Sequence, residues 1–121
     1  MPAVAIAAID AVVILAFAAT GRASHDEGLS VYGVAQTAWS FLVGAAVGWA
    51  IAYAVRRRVP LSPADGVLVW AATFVVGMAL RWLTGQGTAL PFVIVAAIVL
   101  ALLLVGWRAV AMLVRRRRSI S

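Results

Sequence analysis

Four stretches of the chain, 3–20, 33–55, 64–83 and 90–114, are apolar along almost their whole length, and four charged residues, Asp10, Asp65, Arg81 and Arg108, fall within them. A hydrocarbon layer about 30 Å thick is crossed by roughly 20 apolar residues in a helix. Lipid offers no hydrogen bonds, so a spanning segment must satisfy its backbone internally, which a helix does. The chain therefore reads as an all-α membrane protein of four transmembrane helices. Its short connections make successive helices antiparallel neighbours in one bundle. With 65% hydrophobic and 12% charged residues, the composition lies outside that of soluble globular domains. In 121 residues there is room for this one domain over 1–121 and for little else.

The formal charge of +6 would suggest nucleic acid in a soluble chain, but the basic residues sit in runs at the ends of apolar segments. Arg56, Arg57 and Arg58 end the second run, and Arg115, Arg116, Arg117 and Arg118 end the fourth. Cytoplasmic loops carry such an excess, and both clusters reach one side only when the N-terminus lies there too. The expected topology is N-in and C-in, with anionic lipid headgroups at the two clusters and no nucleic acid. All ten basic residues are arginine, which with the alanine and valine excess fits a GC-rich genome and the cell membrane of a bacterium or archaeon. The first run reads as a span rather than a cleaved leader, because Met1-Pro2-Ala3 offers no basic stretch ahead of it. With no cysteine and one histidine, neither a metal nor a cofactor is expected.

Local signals place some boundaries. Val59-Pro60-Leu61 reads as a turn, after which Ser62, Pro63 and Asp65 stand as N-cap, first-turn proline and N3 acid of the third helix. Thr84-Gly85-Gln86-Gly87-Thr88 ends that helix. The pairs Thr20-Gly21 and Thr84-Gly85, and Gly48-Trp49 and Gly106-Trp107, form a weak internal echo. A parallel repeat about the membrane normal and chance similarity account for it equally well.

Asp10 is the most informative single residue, since an ionised group inside hydrocarbon costs about 2.5–3.5 kcal/mol on insertion scales and demands a partner or a proton. It lies roughly 12 Å along its helix, and Arg108 roughly 9 Å from the opposite end of the fourth helix. The matching depths suggest an Asp10–Arg108 pair, either a brace or a coupling site in which Asp10 titrates. Toward the other surface, Arg22, His25 and Arg81 are expected near one another beside Gly85-Gln86-Gly87, as an anion site or a lid neutralised by Asp26 and Glu27. Gln36, Ser40, Gly44, Gly48 and Ala52 recur every fourth residue, and Thr73, Gly77 and Arg81 do likewise on the third helix. Small residues at that spacing mark close helix contact, within the bundle or in a homodimer through the second or fourth helix. Trp39, Trp82 and Trp107 are expected at the membrane interfaces.

These residues resemble a small prokaryotic membrane family catalogued as domain of unknown function 3054. The likeness is carried by Asp10, Gly21-Arg22, Ser24-His25, Gly28, Thr37-Ala38-Trp39, Phe41-Leu42, Gly44, Gly48-Trp49, Gly77, Arg81, Gly85, Gly87, Phe92-Val93 and Gly106-Trp107-Arg108. Ser40 departs from it, because the resemblance implies proline there and a locally less straight second helix. No activity comes with the resemblance. Four helices and an early acid are also similar, as analogy, to the small multidrug resistance transporters. Two roles follow: a small transporter or channel with Asp10 as coupling group, or a non-transporting scaffold or lipid-binding subunit with Asp10–Arg108 as a structural pair. No nucleophile–base pair or phosphate loop points to an enzyme, which would have to rest on Asp10, His25 or Asp26.

Overall fold

The computed structural model describes residues 1–24 and 30–120, which form four helices: α1 (Ala3–Ser24), α2 (Val31–Arg56), α3 (Pro63–Leu83) and α4 (Leu90–Ile120). All four are long and apolar enough to cross a membrane. His25, Asp26 and Glu27 lie outside the described residues.

Two helices run further than the sequence suggests. α1 passes through Thr20-Gly21 to Ser24, because an isolated glycine lowers helix stability without ending a helix. Arg22 then sits in its last turn, where a cation meets the negative end of the helix dipole. α4 continues through the whole arginine run to Ile120, arginine being a good helix former. The first half of the internal echo is thereby broken: Thr84 caps α3, whereas Thr20 lies within α1.

The caps follow from local chemistry. Ser30 caps α2, its hydroxyl accepting from the Gly33 N–H at 2.9 Å, and Arg57 ends α2 with φ 57°, its N–H donating to the Tyr53 carbonyl at 3.0 Å. Ser62 Oγ accepts from the Asp65 N–H at 3.1 Å, with Pro63 in the first turn. Beyond α3, Gly85 takes φ +75°, a conformation open to glycine at no steric cost.

Helix contacts run from α1 to α2, α2 to α3, α3 to α4 and back from α4 to α1, the last pair being the sparsest. The α2–α3 seam is the closest. A side chain at Gly44 would meet the Thr73 backbone at 2.7 Å, and one at Gly48 the Val69 Cα at 3.0 Å. Gly77 makes room for the Phe41 ring. Ser40, Gly44, Gly48 and Ala52 are buried, so the stripe is used inside the chain, whereas Gln36 at its head is exposed. The apolar core gathers Ile14, Phe17, Phe41, Leu100 and Leu104, with Phe17 and Phe41 edge to face at 5.5 Å.

Candidate functional site

Asp10 and Arg108, 98 residues apart, meet inside the protein, and both are buried. The guanidinium engages the carboxylate in a two-pronged pair, Nη1 donating to Oδ1 at 2.8 Å and Nη2 to Oδ2 at 2.7 Å. Two indoles complete the ring of donors. Trp107 Nε1 donates to Oδ1 and Trp49 Nε1 to Oδ2, each at 2.9 Å. A carboxylate offers about four lone-pair directions, and these bonds use one each. Arg108 is held as fully: its Nε donates to the Pro60 carbonyl at 3.0 Å and its Nη1 to the Leu104 carbonyl at 2.9 Å. Gly66 on α3 clears its path, since a Cβ there would come within 2.7 Å of Arg108 Cδ. The centre therefore ties α1, α2, α4 and the α2–α3 turn together, with α3 packed over the arginine stem.

Sequence reasoning assigned Trp107 to the membrane interface and gave Trp49 no role. The indole N–H is a donor that seeks an acceptor when partly buried, and the structure gives both indoles the Asp10 carboxylate. The repeated Gly-Trp pair was the signal that could have found them. A groove of about 340 Å³ runs beside this centre between α1 and α2, lined by Ala7, Asp10, Ala11, Leu42, Ala45, Ala46 and Trp49.

A second acid is also built in. Asp65, buried at the start of α3, accepts from Arg58 Nε at 3.1 Å and Nη2 at 3.3 Å, and pairs with Arg56 at 3.1 Å. Two of the arginines assigned to lipid headgroups thus face a carboxylate of the chain, and the N3 acid serves as a brace besides its place in the cap.

Toward the other ends of these helices, Arg22 and Arg81 line one cavity of about 50 Å³ with Phe17, Ala18, Gly21, Thr37 and Phe92. Arg22 Nη1 donates to Thr37 Oγ1 at 3.3 Å, its guanidinium lying where a Gly33 side chain would be. Arg81, 9% exposed, donates from Nε to the Gly87 carbonyl and from Nη1 to Gln86 Oε1, both at 3.0 Å, and its Cζ stands 4.3 Å from the centre of the Phe92 ring. His25, grouped with this pair by sequence, lies outside the described residues. Among the described residues no three His, Cys, Asp or Glu stand together as a metal-holding group.

The sequence profile of a family described as "Protein of unknown function (DUF3054)" matches residues 7–111. The chain belongs to this family. No curated protein matches the chain, and no solved structure does either. In this DUF3054 protein the matched span contains Asp10 and its three donor residues, Trp49, Trp107 and Arg108. At Ser40, where the resemblance implies proline, α2 runs on without interruption. The Ser40 hydroxyl is buried and has no hydrogen-bond partner among the described residues.

Proposed function

We propose that this DUF3054 protein is a non-transporting scaffold or lipid-binding subunit, in which Asp10–Arg108 is a brace. Its helices form an antiparallel bundle in a prokaryotic cell membrane, with both termini cytoplasmic, where the two arginine clusters meet anionic lipid. The role involves no catalysis. The observation that carries this reading is the saturation of Asp10: two indoles and a forked guanidinium leave its oxygens no capacity for a transported cation. A second copy, in this reading, joins through α4, because the small-residue face of α2 is already filled by α3.

A transporter coupled through Asp10 is the competing role, favoured by the groove that reaches this residue between α1 and α2. Thermal unfolding and proton flux in liposomes separate the two. For a brace, Asp10→Asn and Arg108→Gln each lose about 3–5 kcal/mol, the usual result of stranding one buried charge. The double variant regains part of that loss, because neither charge is then left alone. Wild-type liposomes under a pH gradient leak protons no faster than protein-free ones. Flux abolished by Asp10→Asn at unchanged melting temperature would overturn the brace.

A further inference from the structure

The turn between α2 and α3 has little of its own to hold it. Residues 58–61 make no backbone–backbone hydrogen bonds among the described residues, and Pro60 has no N–H to offer. Pro60 is nevertheless fully buried, so the turn is seated by side chains that reach it from elsewhere. On the inner side Arg108 Nε donates to the Pro60 carbonyl at 3.0 Å, and Gly66, at the start of α3, gives the Arg108 stem its space. On the outer side Arg58 and Arg56 each reach Asp65 at 3.1 Å. Arg108 is itself placed by Asp10, whose carboxylate takes both of its Nη groups. A chain of contacts therefore runs from α1 through α4 to the turn, with Arg108 as the link.

We infer that this turn is a latch, seated by Arg108 and released when Asp10 no longer holds the guanidinium. With the Asp10 charge gone, Arg108 is a buried cation facing the Pro60 and Leu104 carbonyls and the Trp107 ring among the described residues. A buried charge that has lost its counter-ion is costly. The long stem of arginine gives a way out, because the head group can move to the nearest water while the methylenes stay packed. Its Nε leaves the Pro60 carbonyl as it goes, and the turn keeps only the Asp65 anchor. The coupling runs both ways: a surface partner that lifts the turn takes one acceptor from Arg108 and loosens its hold on Asp10. The seated and released turns present Arg57 and its neighbours differently, so the state of the buried pair is read at the membrane surface. The inference rests on the brace proposed above and adds a moving part to it.

Maleimide labelling of the full-length chain in detergent tests the latch, each protein carrying one introduced thiol in a sequence that has no cysteine. Leu61→Cys, at a half-buried position of the turn, reports the latch. Val34→Cys, half-buried against the apolar core near the other end of α2, reports general loosening. Asp10→Asn is expected to raise the Leu61→Cys labelling rate about tenfold, the worth of one hydrogen bond to a charged group, and to leave the Val34→Cys rate unchanged. Trp49→Phe removes a donor from Asp10 but keeps the fork to Arg108, so it leaves both rates unchanged. Arg108→Lys keeps a cation for Asp10 but has no donor at the Nε position, so it opens the turn with the charges still balanced. An unchanged Leu61→Cys rate in Asp10→Asn or in Arg108→Lys, an equal rise at Val34→Cys, or an equal rise in Trp49→Phe each overturns the latch. Melting temperatures judge the brace separately. Lost stability with no change at Leu61→Cys leaves the brace and removes the latch, whereas an Asp10→Asn protein that melts like the wild type removes the brace and the latch with it.

Discussion

Arg108 is the side chain on which most of the polar order depends. It brings four hydrogen bonds to three acceptor groups, the Asp10 carboxylate and the Pro60 and Leu104 carbonyls, while fully buried. Gly66→Ala should therefore destabilise the protein by about 1–3 kcal/mol, the usual result of overpacking. The added methyl meets a pinned side chain together with the Leu104 carbonyl and the Val105 Cα, both at 3.3 Å. Thermal unfolding in detergent reads this, and an unchanged melting temperature would mean the arginine stem can shift. Trp49→Phe and Trp107→Phe each remove one donor to a buried carboxylate, and each should lose about 1.5–3 kcal/mol by the same measurement. The pairing of Asp10 with Arg108 was legible from depth along two helices, since an ion in hydrocarbon needs a partner at its own level. The tryptophans were not. An indole reads first as an interfacial ring, and the repeated Gly-Trp pair marks the two positions without saying which way either N–H points.

Among the elements, α2 and α3 approach most closely, and glycine sets the distance. Gly44→Ala places a methyl against backbone that cannot turn aside, so it should lose more stability than Gly48→Ala, whose neighbours stand at 3.0 and 3.1 Å. Gly106→Ala and Gly21→Ala meet nothing within 4 Å. Each should gain about 0.5–1 kcal/mol, the helix preference of alanine over glycine. Comparing the four melting temperatures separates glycines that permit packing from those that do not. The small-residue spacing announced this face from the sequence, as the arginine triplet announced the end of α2 and Ser62-Pro63 the start of α3. The far ends of α1 and α4 were illegible for one reason: apolar content marks where lipid stops, not where backbone hydrogen bonding stops. Arg22 through Ser24 and the terminal arginines remain helical beyond that limit.

At the scale of the whole molecule, the native chain has no cysteine, so a single introduced thiol reports sidedness without background. Thr88→Cys, between α3 and α4, should react with an impermeant maleimide in intact cells, and Arg117→Cys should react only after lysis; the reverse pattern would invert the proposed orientation. The braces also differ in the order in which a ribosome supplies their parts. Asp65 finds Arg58 within seven residues, as soon as that turn emerges. Asp10 is made in the first helix and its counter-ion in the last. During synthesis, three helices must therefore wait in the bilayer with an acid whose guanidinium partner has not yet been made, and arrival of the fourth ends the wait. A nascent chain stalled before α4 carries a marker of its own incompleteness, a carboxylate without its guanidinium in the hydrocarbon layer. Quality-control proteases should clear such a fragment faster than the finished protein, and its Asp10→Asn form should outlive it.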